Sequence, residues 1–414
     1  MRWWENAFLK VKNNQLYLND SRAVDIAEKY GTPLFIYSRK QVQENLNRLC
    51  SVFEGSDRSE IRNCYAMKAN SHGGLLEYLS QQNVCIDAVS PGEIDLALSK
   101  GFTPGKIIFT GTSVSEEDLK RVFQHKEIVI TIDAEELLDT MESIRDHYFP
   151  NTEFKVSVRW NPGIGRGFSP KTITAGVRSS DGTPIKFGIQ EDRILPVYKK
   201  AADAGFIPIG LHQHLGSGWT GEDFPIVKQA VERMTKMAAA VQKAGFPLDF
   251  LDFGGGFGPI YYETQTPFPL EDYAECILDS MRRKDLNNLA VILEPGKFLV
   301  GDAGVLLLRV EYMKTNYGNL FACVNGGTFN TVPRPAIYTQ AQHHIVHTTQ
   351  VESEGTEKVT VAGNLCESGD VFSKEIPMPL PQKGDVLALL CAGAYCRTMA
   401  SNFNLREIPD ELMI

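Results

Sequence analysis

Lys68 closes an apolar run, Ile61 to Met67, and is followed by Ala69, Asn70 and then Gly73-Gly74. Read as a buried strand running into a loop, Cys64-Tyr65-Ala66-Met67-Lys68-Ala69-Asn70 places one ammonium at a strand's carboxyl end. A lysine desolvated there can lose its proton and condense with an aldehyde to a Schiff base. Taken alone, the same pattern describes an ordinary surface lysine after a strand. Three further stretches also follow short apolar runs: His212-Gln213-His214-Leu215-Gly216-Ser217-Gly218, Asp252-Phe253-Gly254-Gly255-Gly256-Phe257-Gly258 and Glu294-Pro295-Gly296.

Each of these stretches has a plain reading and a chemical one. Consecutive glycines let backbone N–H groups approach an anion, which suits a phosphate, although a simple tight turn reads the same. Neither the GxGxxG spacing of a dinucleotide site nor the Gly-Lys-Ser/Thr of a P-loop is present. Ser217 can add a hydroxyl to the same anion. His214 is either a core histidine or, beside an aromatic cofactor, a flat ring that stacks on it. His212 and His214 alternate faces along a strand with no third ligand spaced to them, so no metal is expected. Glu294 either caps a turn or, buried against a pyridine nitrogen, keeps that nitrogen protonated and the ring a strong electron sink. Lysine, anion cradle, flat ring and buried acid are together what a pyridoxal 5′-phosphate (PLP) site needs.

These residues need elements that bring them to one place. Eight short apolar runs recur at Ile61–Met67, Val84–Val89, Lys106–Thr110, Ile128–Ile132, Phe154–Trp160, Ile207–His212, Phe250–Phe253 and Ala290–Leu293. Helical stretches alternate with most of them, and each run is apolar enough to be buried on both sides. That is the count of an α/β fold built on a (β/α)₈ barrel, whose sites lie at the carboxyl ends of the strands. A doubly wound open sheet is the alternative. After Glu294 the pattern turns to strands and turns: Val305–Met313, Leu320–Val324, Thr348–Ser353, Lys358–Ala362 and Val386–Cys391. The expected division is a barrel over residues 31–299 and an all-β domain formed by 1–30 and 300–414. The Pro-rich Ile376-Pro-Met-Pro-Leu-Pro381 reads as a loop.

At 414 residues the chain exceeds one ordinary domain, and 43% hydrophobic with 22% charged residues suits a globular protein with a sizeable core. The net charge of −9 is spread, with no basic stretch that would favour nucleic acid or an acidic membrane. Eight cysteines without CxxC pairs, a start lacking a signal-peptide core, and no run long enough for a membrane span point to the cytoplasm.

Taken together, these motifs resemble the fold-type III PLP-dependent decarboxylases, most closely the diaminopimelate decarboxylases. The resemblance rests on Tyr65-Ala66-Met67-Lys68-Ala69-Asn70, Asp87-Ala88-Val89-Ser90-Pro91-Gly92-Glu93, His214-Leu215-Gly216-Ser217-Gly218, Gly254-Gly255-Gly256-Phe257-Gly258 and Glu294-Pro295-Gly296. It continues through Arg334-Pro335-Ala336-Ile337-Tyr338, Cys366-Glu367-Ser368-Gly369-Asp370 and Gly393-Ala394-Tyr395, in the family's order along nearly the whole chain. It implies an alanine-racemase-like fold and a PLP-dependent carboxy-lyase, converting meso-diaminopimelate to L-lysine and CO₂. Lys68 would hold PLP, His214 would stack on it, and Glu294 would pair with its nitrogen. Asp87, Ser217, Gly254, Gly255, Gly256, Gly296 and Tyr395 would complete the cofactor site. Cys366, with Lys68 and His214, would be catalytic. Lys297, Arg334, Tyr338, Glu367 and Tyr395 would bind substrate. Cys366 and Glu367 would reach a partner subunit's site, making the working unit a homodimer.

The chain departs from that family's pattern in places. Lys297 stands where the family usually has arginine, a swap of a planar fork for a point charge. Phe168 stands where it commonly has histidine, the 163–185 loop is long, and Phe403 replaces a tyrosine. Cys396-Arg397 replaces smaller residues, and Arg397 is a candidate to offset the arginine missing at 297. These changes keep a second substrate open, another amino acid or a carboxylated polyamine precursor. A racemase is disfavoured by Glu294, where racemases carry arginine, and a non-catalytic PLP-binding homologue by the presence of both Lys68 and Cys366.

Overall fold

The computed structural model describes residues 2–54, 60–338 and 340–414. Eight parallel strands close into a barrel in chain order: Ile61–Ala66, Cys85–Ala88, Ile107–Phe109, Val129–Ile132, Lys155–Arg159, Ile207–His212, Phe250–Asp252 and Ala290–Leu293. The ring is shut by the eighth strand pairing with the first, Val291 with Ile61 and Leu293 with Asn63. Closure excludes the doubly wound open sheet.

The strands form where the sequence concentrates β-branched residues, and runs such as Ala290-Val291-Ile292-Leu293 are buried throughout. Helix starts are set by local chemistry. Ser90 Oγ accepts the Glu93 N–H at the head of Pro91–Ser99, where proline occupies a first-turn position that needs no donor. Cys64, Ile108, Ile209, Phe250, Ala290 and Ile292 form one buried cluster. Gly210 makes room for it, because a Cβ there would lie 2.2 Å from the Phe250 ring.

The chain divides into two compact units: Leu49–Gly258 with Pro267–Gly296, and Met1–Arg48 with Pro259–Thr266 and Lys297–Ile414. The barrel belongs to the first. In the second, a sheet runs in the order Ile345–His347, Val386–Leu389, Gly304–Asn316, Asn319–Val324, Glu357–Ala362, Val371–Met378. Leu34–Tyr37 pairs with both Gly304–Asn316 and Asp410–Met413. The sequence reading had opened the barrel at residue 31, ahead of this strand. A closed barrel has no edge to offer it, and its four buried residues are used in the sheet instead. Leu9–Lys12, Gln15–Leu18 and Ser21–Arg22 make a separate three-stranded sheet in the same unit.

Two sheet assignments differ from the sequence reading. The strand expected at Thr348–Ser353 lies earlier, at Ile345–His347, and the expected segment is a turn. Ile376-Pro377-Met378 is not loop but the end of Val371–Met378, an edge strand, where proline's missing donor costs no ladder bond. Among the described residues no helix is long and apolar enough to cross a membrane.

Phe250 is the test of the barrel cluster. Phe250→Ala should cost about 3–5 kcal/mol, read as a lower urea midpoint at unchanged slope.

Candidate active site

The carboxyl ends of the barrel strands carry Lys68, Asp87, His212, Asp252 and Glu294. Lys68 follows the first strand on a short 3₁₀ turn, Met67–Ala69. Its Nζ lies 2.7 Å from Asp87 Oδ2, at the end of the second strand. Asp87 is fully buried, whereas the Lys68 side chain is 37% exposed. The sequence reading has Lys68 desolvated enough to lose its proton; the structure leaves its side chain partly exposed and gives it a buried counter-charge. Thr110 Oγ1 donates to the other Asp87 oxygen. Burial pushes Asp87 up from the ordinary carboxylate range, against the opposing pull of Lys68.

The sixth and seventh strands end in loops that lock each other. Gly218 N and Trp219 N both donate to Gly256 O, at 2.6 and 3.0 Å. Gly254 has φ +69° and Gly256 φ +127°, left-handed backbone that only glycine adopts freely. At Gly255 the reason is space: a Cβ would lie 2.1 Å from the Glu294 carbonyl oxygen. His214 Nδ1 accepts the Gly255 N–H at 3.2 Å, which fixes the neutral ring. Burial takes its pKa down to about 3, with Glu294 pulling the other way. A neutral flat ring beside a cradle closed to side chains fits an aromatic, phosphorylated ligand.

Glu294, at the end of the eighth strand, is 5% exposed. His212 Nε2 lies 3.4 Å from each of its two oxygens, and Oε1 has no hydrogen-bond partner among the described residues. Burial would raise this carboxyl, but His212 and then Lys68 outweigh it and bring it to about 2. An ionised, buried carboxylate with an open oxygen is what a protonated ring nitrogen needs.

Spacing along the His212 strand shows no third ligand beside His212 and His214. Strand adjacency supplies what spacing could not show: Asp252 and Glu294, from the next two strands, come together with His212, and their ligating atoms all lie within 4.8 Å of one another. Asp252 carried no role in the sequence reading. Its signal was a carboxylate directly after buried Phe250-Leu251, the same pattern that drew attention to Glu294.

The long loop is not loose. Arg166 N and Thr174 N both donate to Leu215 O, Thr174 Oγ1 to His214 O, and Ser217 N to Thr172 O. Phe168 N donates to Ser217 O, and its ring is what a Cβ at Gly218 would strike, 2.7 Å away. The segment is therefore stitched onto the loop that carries His214 and Ser217. Gly296 is buried at the end of this unit.

The remaining expected residues lie in the second unit. Arg334 is buried at the head of a four-residue helix, with its guanidinium 4.5 Å from the Tyr261 ring centroid. Its Nη1 lies 3.1 Å from His343 Nε2, and His343 Nδ1 donates to Leu390 O at 2.9 Å. The sequence reading singled out Arg334 but neither of its supports. Burial, then Arg334, takes the His343 pKa down to about 3. Lys297 is buried 5.5 Å from the Tyr395 ring centroid; burial, then Arg334, pushes its pKa well down. Tyr338 is half-buried directly after the Arg334 helix. Arg397 Nε donates to Pro409 O at 3.0 Å and sits 3.7 Å from Glu411, so its charge is already compensated.

Cys366 and Glu367 are exposed on the loop between Glu357–Ala362 and Val371–Met378. Asp370 anchors that loop, accepting Leu365 N at 2.7 Å, Thr328 N at 2.6 Å and Thr328 Oγ1 at 2.9 Å. Asn404 Oδ1 accepts Cys366 N at 2.7 Å, and the exposed Phe403 ring packs edge-on against Phe329.

A (β/α)₈ barrel carrying a lysine, an anion cradle and a buried acid at its strand ends defines a PLP enzyme. Residues 39–301 match the family model described as pyridoxal-dependent decarboxylase, pyridoxal binding domain. The chain is 37% identical over 405 residues to the diaminopimelate decarboxylase of Methanothermobacter thermautotrophicus, covering 96% of this chain and 90% of that one. It is 32% identical to the Vibrio cholerae enzyme of the same name, covering 97% and 92%. The crystal structure of diaminopimelate decarboxylase from M. jannaschii in complex with L-lysine superposes with a TM-score of 0.89 at 28% identity, covering 99% of this chain and 93% of that one. This chain belongs to the pyridoxal-dependent decarboxylase family, and its cofactor is PLP.

His343 gives a pH prediction. Unfolded, it takes up a proton below about 6.5; folded, it does so only near 3, so stability falls as pH drops through that window. His343→Gln should lessen the loss between pH 6.5 and 5 by about 1–2 kcal/mol, read from urea midpoints at both values.

Proposed function

We propose that the protein decarboxylates meso-diaminopimelate to L-lysine and CO₂ with PLP, as a homodimer. The observation that carries this reading is the buried Glu294 with its open Oε1, at one barrel mouth with Lys68. It stands in a chain aligned almost end to end with diaminopimelate decarboxylases.

When bound, PLP supplies an electron sink that accepts the pair released with CO₂. The chain's own residues do the rest. Lys68 Nζ would be the covalent anchor, and Asp87, 2.7 Å away, would hold that nitrogen in place and balance its charge when it is protonated. Glu294 holds a proton at the ring nitrogen. His214, neutral, offers a flat face without competing charge. Backbone N–H groups of Gly256 and Gly296, with Ser217 and Tyr395, would take the phosphate, while Gly254 and Gly255, whose N–H groups go to Asp252 and His214, keep side chains out of the cradle. Lys68 or Cys366 returns a proton to Cα. Arg334, Tyr338 and Lys297 bind the distal carboxylate of the substrate, and Glu367 its distal amine. Cys366 and Glu367 act in the partner's site.

A second substrate keeps one specific support, the lysine at 297 in place of arginine. The assay that decides is CO₂ release by the PLP-loaded protein on meso-diaminopimelate, lysine, ornithine, arginine and carboxynorspermidine. Rapid release from diaminopimelate alone is expected; turnover of another substrate in its place would refute the assignment.

Lys297→Met should raise the diaminopimelate KM about 10- to 100-fold, the loss of one charge-assisted contact, with a smaller change in kcat. Sharing of sites is tested by mixing. Lys68→Ala and Cys366→Ala should each be inactive alone. After subunit exchange an equal mixture should regain roughly a quarter of wild-type activity, because half the dimers then hold one intact site.

A further inference from the structure

Three buried titratable side chains stand at the ends of adjacent strands: His212 on the sixth, Asp252 on the seventh and Glu294 on the eighth. Only Glu294 has a role in the chemistry above. Asp252 Oδ1 is satisfied, accepting the Gly254 N–H at 2.9 Å. Its Oδ2 is buried without a hydrogen-bond partner among the described residues, and so is Glu294 Oε1, which lies 3.4 Å from His212 Nε2. With both carboxyls ionised, two buried negative charges with oxygens within 4.8 Å of each other would stand away from water, which is strongly unfavourable. One proton placed between the two carboxyls removes the repulsion and makes the missing hydrogen bond.

The surroundings decide which carboxyl carries it. Glu294 has His212 on one side, and Lys68 and His214 also act on it. Asp252 meets burial, Glu294 and the more distant Asp87, all of which push it well up, against the single opposing pull of the Gly254 N–H. The proton therefore belongs to Asp252. Glu294, flanked by two donors, remains the anion. Two carboxylate oxygens can accept about four hydrogen bonds, so capacity is left for a ring N–H.

We propose that Asp252 is a positioning residue of the decarboxylase: its protonated carboxyl donates to Glu294 and, with His212 on the other side, keeps Glu294 ionised and aimed at the pyridine nitrogen. This rests on the PLP reading above. Without the donor, Glu294 becomes more basic and draws the shared proton from the ring nitrogen to itself. The ring is then a weaker electron sink, although every group that touches the cofactor is still present.

The test uses holoenzyme loaded with PLP labelled with ¹⁵N in the ring, and reads the ring-nitrogen chemical shift beside kcat. Asp252→Asn preserves a donor and should keep the protonated-ring shift. Asp252→Leu, similar in size but without a donor, should move the signal toward the unprotonated position and lower kcat about tenfold, one pKa unit's worth of interaction. Where Asp252→Leu does not fold, Asp252→Ala serves the same comparison. A wild-type shift in the donor-free variant, or an Asp252→Asn signal that moves with it, would overturn the proposal. Glu294→Gln separates the two levels of the argument. If that variant also keeps the wild-type shift, Glu294 does not face the ring nitrogen and the site reading itself fails. If Glu294→Gln moves the signal and Asp252→Leu does not, only the role of Asp252 falls.

Discussion

The barrel mouth depends on keeping one negative charge buried. A carboxylate removed from water is costly unless opposite charge or donors surround it. At Glu294 that compensation comes from His212, two strands away, and from Lys68, which follows the neighbouring first strand. The backbone is shaped around the same residue. Gly255 passes so close to the Glu294 carbonyl that no side chain fits, and the Gly255 N–H in turn fixes His214 in its neutral form. The charge of Glu294, the cradle and the flat ring are thus consequences of one packing arrangement.

Much of this was legible in the sequence because barrel strands announce themselves by short buried runs, and barrel chemistry by what directly follows them. Lys68, His214, Gly254–Gly256 and Glu294 all follow such runs, and all eight runs proved to be strands. What stayed hidden was lateral. Asp87 pairing with Lys68, and Asp252 meeting Glu294, are contacts between neighbouring strands, and spacing along one strand carries no trace of them. Leu34–Tyr37 was placed with the barrel for the same reason: its apolar pattern marks a strand but does not say which sheet takes it.

The second unit shows a related limit. Lys297, Arg334 and Arg397 look interchangeable as positive charges on the page. In the structure Arg397 is spent on Glu411 and Pro409, whereas Arg334 is held by Tyr261 and His343, and Lys297 lies buried beside Tyr395. Burial and then Arg334 push the pKa of Lys297 well down, a response that an always-charged arginine lacks.

The central claim is that Lys68, at the end of the first barrel strand, is the covalent anchor of PLP. Borohydride reduction of the PLP-loaded protein, followed by digestion and mass spectrometry, locates the pyridoxyl group directly. The account predicts the label on the peptide carrying Lys68 and on no other. Label on a different lysine, or a Lys68 peptide recovered unmodified from fully loaded protein, would contradict it.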